Sequence, residues 1–84
     1  MDNKTVMIYT LSTCSHCRAA KRFLEGCDVV YEFEDVDLLK GDERKAAVDE
    51  VRRLNPACSF PTIVIDGRVI VGFREDEIRE ALGI

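Results

Sequence analysis

A chain of 84 residues, 46% of them apolar and 33% charged, can build one small core, so a single domain over 1–84 is expected. Its net charge of −4 argues against a nucleic-acid partner, which needs a basic face, and there is no polybasic patch for an anionic membrane. No apolar run approaches a membrane span, and the start "MDNKTVMIYT" lacks the cationic, apolar and small-residue regions of a secretory leader, so a cytoplasmic protein is expected.

Val6 to Tyr9 reads as a short strand, followed by the polar loop Thr10–Thr13. Ser15 to Glu25 reads as a helix ended by Gly26. Cys17, Ala20, Phe23, Leu24 and Cys27 recur at steps of three and four and mark its buried face. Val29 to Val36 alternates, with Val29, Tyr31 and Phe33 on one face and Glu32 and Glu34 near the other, as in a half-exposed strand. Asp42 is the expected N-cap of a second helix that buries Ala47, Val48, Val51 and Leu54 and stops at Asn55-Pro56. In "PTIVIDGRVIVG" two β-rich runs flank Asp66-Gly67, a two-residue hairpin signal, and Gly72 breaks the second run. Glu75 to Leu82 reads as a last helix with Ile78, Ala81 and Leu82 facing inward and Glu75, Asp76 and Glu77 at its positive end. The order is β-α-β-α-β-β-α. A helix between the first two strands makes them parallel, and the last two form an antiparallel hairpin.

The chemistry is concentrated in "TLSTCSHCRAAK". Cys14 falls where the first helix begins, and Cys17 lies one turn in. A helix N-terminus carries about half a positive charge and unpaired N–H groups, which favour a thiolate on Cys14. His16, Arg18 and Lys21 add positive charge nearby, and Ser15 and His16 fill the gap between the sulfurs. Cys17 opens the buried stripe and is expected to be sheltered. An exposed sulfur that attacks and a sheltered one that resolves are what dithiol exchange needs. A structural staple closing so small a loop contributes little. A zinc site needs two more ligands from Cys27, Cys58 and His16, and the chain has no second C-x-x-C or H-x-x-x-H, so no metal site is expected. Four cysteines without a leader point to a reducing compartment, where such a pair is catalytic more often than structural. Cys27 reads as a small core residue and Cys58 as a bystander.

The second signal is "SFPTIVIDG". Proline opening a strand cannot donate to the ladder, and a cis Phe60–Pro61 bond beside the cysteines accounts for it. Such a turn presents the Phe60 backbone to an extended substrate.

With these elements in place, the sequence resembles the glutaredoxin family of the thioredoxin superfamily over nearly its whole length. The resemblance rests on "IYTLSTCSHC", "SFPTIVIDG" and "VGFREDEI" in that order. It implies a thioredoxin-like α/β fold with a four-stranded mixed sheet flanked by helices. It also implies a monomeric thiol–disulfide oxidoreductase with no bound cofactor, working through a redox-active Cys14–Cys17 disulfide on protein or small-molecule disulfides. Cys14 is then the nucleophile, Cys17 the resolving thiol and Pro61 the cis proline, with Ser15, His16, Phe60, Thr62, Gly72, Phe73, Arg74 and Glu75 around the substrate. Family members commonly use glutathione. Here Leu11 stands where they usually have a lysine for a glutathione carboxylate, and Gly72-Phe73 replaces the usual glycine pair. Arg52, Arg53 and Arg74 are candidate replacements for the lost charge. "GFRED" is similar to redoxins that reduce ribonucleotide reductase and are recharged by thioredoxin reductase. "VRRLNP" and "VGFREDEIREALGI" are similar to methanoredoxin-type proteins, which use other small thiols. An iron–sulfur or metal carrier of the same family, in which Cys14 of two chains holds a cluster, is the alternative.

Overall fold

The computed structural model describes residues 5–84; the first four residues of "MDNKTVMIYT", on which the cytoplasmic expectation rests, lie outside the described residues. Its elements are β1 (Val6–Thr10), α1 (Ser15–Gly26), β2 (Glu32–Asp35), a 3-10 turn (Val36–Leu38), α2 (Gly41–Leu54), β3 (Thr62–Ile65), β4 (Arg68–Val71) and α3 (Glu75–Leu82). The strands form one sheet in the order β2-β1-β3-β4. β1 runs parallel to β2 and antiparallel to β3, and β3 and β4 form the hairpin. Asp66 and Gly67, at φ 52° and 88°, supply the two left-handed residues of its turn, a conformation that Asp tolerates and Gly adopts without strain. No helix among the described residues is long and apolar enough to cross a membrane.

One row of side chains explains the core. Phe33, Ile8, Ile63 and Ile70 are in register across the four strands. Ile8, Ile63 and Ile70 are buried against Ala20 and Leu24 of α1 and Ile78 of α3. Phe73, Phe23, Ala81 and Leu82 close the sides. On β1 the burial alternates, with Val6, Ile8 and Thr10 inside. Tyr9 points to the other face, where it feels the charges of Glu50 and Arg53 on α2. There α2 buries Ala47 and Val51.

The structure departs from the sequence expectation in three places. The second strand is shorter, and of Val29, Tyr31 and Phe33, read as one face of it, Val29 and Tyr31 pack against the core while Phe33 is 50% exposed. It ends the row at the open edge of the sheet, where α1 offers a cation instead of an apolar cover: Lys21 Nζ stands 3.8 Å from the ring centroid. Helix α2 begins at Gly41 with Lys40 as N-cap, so Asp42 is not the cap. Asp42 and Glu43 instead lie in the first turn, where their charge favours the helix N-terminus. Cys27, expected on the buried stripe, is the half-buried C-cap of α1 beyond Gly26.

Candidate active site

Cys14 is the N-cap residue of α1, and its side chain does the capping. The Cys17 N–H donates to Cys14 Sγ at 3.3 Å. No acidic residue occupies the first turn of α1, so no carboxylate there competes for the positive end of the helix. Cys14 is partly exposed, and Cys17 is 1% exposed; both are free thiols. Burial pushes the Cys17 thiol up to about 12, and the hydrogen bond with Cys14 pushes it the same way. The Leu11 backbone and the Lys21 charge pull against this.

The loop that carries the cysteines is tethered to the turn that follows the neighbouring parallel strand β2. Cys14 N–H donates to Leu11 O at 3.1 Å. Ser12 gives its backbone N–H to Asp37 Oδ1 at 2.9 Å and its hydroxyl to Asp37 Oδ2 at 2.5 Å. These bonds hold the Asp37 carboxyl below the usual carboxylate range, the hydroxyl first and the backbone next. Thr10 Oγ1, fully buried, donates to Asp35 Oδ1 at 2.6 Å, and Lys21 Nζ lies 3.4 Å from the same oxygen. Asp35 and Phe33 therefore fix Lys21, one helical turn beyond Cys17.

A groove of about 350 Å³ is lined by His16, Phe60, Pro61, Val71, Gly72, Phe73 and Arg74, and His16 joins it to the turn that carries the two sulfurs. Three distant segments meet there. His16 comes from the turn between the sulfurs. Phe60 and Pro61, joined by a cis peptide bond, come from the segment before β3. Gly72, at φ 84°, lets the chain turn out of β4 while its N–H donates to Pro61 O at 2.8 Å. Arg74 Nε donates to Val71 O at 3.3 Å and stands 3.5 Å from Glu77.

Of the residues singled out in the sequence, His16, Phe60, Pro61, Gly72, Phe73 and Arg74 share this groove. Ser15 is exposed at the start of α1 and does not line it. Glu75 accepts from Arg79 Nε at 3.1 Å in the first turn of α3, outside the lining. Thr62 is fully buried beneath the groove, and its hydroxyl donates to Ser59 O at 2.8 Å. Arg52 and Arg53 are exposed on α2, and Arg53 grips Glu50 in a two-pronged pair. Sequence reasoning missed Val71, whose signal was an apolar residue at the strand end before Gly72. It also missed the Ser12–Asp37 tether, which no local pattern announces. Among the described residues no group of three or more His, Cys, Asp or Glu side chains is placed to hold a metal ion.

Residues 6–70 match the family described as Glutaredoxin. The chain belongs to the glutaredoxin family. It superposes on the crystal structure of Methanosarcina acetivorans methanoredoxin with a TM-score of 0.93 at 42% identity, covering 100% of this chain and 90% of that one. Against the glutaredoxin of Methanosarcina mazei Go1 the TM-score is 0.88 at 48% identity, over 95% and 79% of the two chains. A Clostridium pasteurianum protein described as an uncharacterized glutaredoxin-like 8.6 kDa protein in a rubredoxin operon is 36% identical, over 87% of this chain and 91% of its own length. The thioredoxin-like fold and the Cys14–Cys17 pair make this glutaredoxin a thiol–disulfide oxidoreductase.

Proposed function

We propose that Cys14 is the attacking sulfur and Cys17 the resolving one in a dithiol cycle on protein and small-molecule disulfides, run by a monomer in the cytoplasm. The asymmetry between the two sulfurs carries this reading. Cys14 is accessible and sits where a donated N–H and the helix end stabilise negative charge. Cys17 is sheltered and held as a thiol by burial. In the first step Cys14 sulfur bonds to one sulfur of the substrate disulfide, the substrate S–S bond breaks, and the departing thiolate takes a proton. In the second, Cys17 gives up its proton and its sulfur bonds to Cys14, and the second substrate thiolate leaves. Two electrons pass from the dithiol to the substrate, and a disulfide remains on the protein.

Substrate docking follows from the groove. Phe60 has no backbone hydrogen-bond partner among the described residues and lies beside His16. An extended substrate segment meets those free main-chain groups as an added strand.

The reductant that resets the pair is a flavin-dependent thioredoxin reductase or a small thiol other than glutathione. Glutathione has two carboxylates to satisfy. Leu11 offers neither donor nor charge, and of Arg52, Arg53 and Arg74 it is Arg74 that lines the groove. Phe73 lines the groove next to Arg74 in sequence and is bulkier than the glycine usual at that position. One missing charge-assisted contact weakens binding by about ten- to a hundredfold. A turnover assay supplying glutathione, other small thiols or thioredoxin reductase tests this. The expected result is slow turnover with glutathione, improved by Leu11→Lys. Efficient turnover of the unmodified protein at low glutathione would contradict it.

A further inference from the structure

The segment from Asn55 to Pro61 contains no helix or strand, yet it delivers Phe60 and Pro61 to the groove. An irregular segment keeps one shape only when something replaces the missing ladder bonds. Here the replacement is one side chain, Asn55, 3% exposed just beyond α2. Its Oδ1 accepts the Ala57 N–H at 3.1 Å. Its Nδ2 faces Ser59 Oγ at 3.0 Å, Thr62 Oγ1 at 3.2 Å and Ser59 O at 3.3 Å. Its own carbonyl takes the Cys58 N–H at 2.8 Å, and its N–H donates to Val51 O at 2.7 Å, which fastens the knot to the last turn of α2. Thr62 completes it from the other side through its bond to Ser59 O. A single amide thus holds the residue before Phe60 and the residue after Pro61. The task needs an acceptor and donor hydrogens on one short side chain. Aspartate has the acceptor without the donors, and alanine has neither.

We propose that Asn55 is a positioning residue for the exchange reaction: it fixes Phe60 at the groove so that an extended disulfide substrate meets a preset edge. This rests on the reading that substrate docks along Phe60. Asn55 touches neither sulfur nor substrate, so its effect falls on docking and not on the chemistry of Cys14.

Single-turnover kinetics of the pre-reduced protein separate the two, with a disulfide-linked peptide and with hydroxyethyl disulfide, which has no peptide backbone to dock. Asn55→Asp keeps the shape and removes the donors. It is expected to raise the half-saturating peptide concentration by about tenfold or more. The limiting rate, the reaction with hydroxyethyl disulfide and the alkylation rate of Cys14 should stay within about threefold of the unmodified protein, clearly less than the shift expected for the peptide. If Asn55→Asp does not fold, Thr62→Val breaks the same knot from its other end and should give the same peptide-specific loss, with Thr62→Ser restoring it. A folded Asn55→Asp or Thr62→Val protein with unchanged peptide half-saturation overturns the inference, as does a loss shared equally by both substrates. An unmodified protein that does not favour the peptide over hydroxyethyl disulfide overturns the docking reading and this inference with it. An unmodified protein that favours the peptide, and variants that keep the preference, overturn the inference alone.

Discussion

Cys14 and Cys17 carry the same side chain and differ because one caps a helix while the other lies under it. Burial raises the folded-state value of the Cys17 thiol from its ordinary level near 9 to about 12. A raised value favours the protonated form, so the stability it contributes is complete below pH 9 and is lost as pH rises from there through 12. Reduced protein should therefore lose stability steeply across that alkaline range in urea titrations. Protein with the Cys14–Cys17 disulfide formed lacks the titrating thiol and should lose less. Tyr31 is also pushed up to about 12, by burial first and by Glu25 next, but it is common to both forms and cancels in the comparison. Equal alkaline losses in the two forms would contradict the assignment. The C-x-x-C spacing and the exposed-versus-sheltered contrast were legible in the sequence, because the buried stripe begins at Cys17. The part played by Asn55 was not. In the sequence it reads as a helix stop before Pro56, since residue type does not reveal that partners two to seven residues later converge on one amide.

At the scale of elements, the sequence showed which residues share a face but not what covers that face. The alternation Val29–Tyr31–Phe33 was readable, whereas the edge position of β2 follows only from the strand order. The consequence is measurable. Leu24→Ala, at the centre of the core, should cost about 2–5 kcal/mol by urea denaturation. Phe33→Ala, half exposed in the same sheet, should cost clearly less; equal costs would mean that α1 covers the edge as well. The Ser12–Asp37 tether joins the loop after β1 to the 3-10 turn after β2 and was invisible for the same reason, the two residues being 25 positions apart. Asp37 has a lowered folded value, so its contribution is present above the ordinary carboxylate value and is lost as pH falls through the folded one. Ser12→Ala should bring the Asp37 carboxyl back up toward its ordinary value, followed by its carbon chemical shift through an acid titration. An unmoved titration would show that the hydroxyl is not the cause.

On the scale of the whole molecule, the active site is a meeting of three segments that the sequence displays separately: "TCSHC", "SFPT" and "VGFR". Their family spacing made the fold readable, and the β-α-β-α-β-β-α order was recovered with it. Pairing β3 between β1 and β4 places the segment before β3 and the turn after β4 side by side, which is why Pro61 and Gly72 are hydrogen-bonded across the groove. What the motifs did not reveal is which members face the substrate space: Thr62 is turned inward, and Val71 is turned into the groove. The reaction proposed for this site is tested most directly by mass spectrometry of the Cys17→Ser protein after incubation with a disulfide-linked peptide. The account predicts one peptide in mixed disulfide on Cys14, stable because no resolving thiol remains, and no adduct when Cys14→Ser is treated alike. An adduct on Cys27 or Cys58 in place of Cys14, or a Cys14→Ser protein that still reduces the peptide, would contradict it.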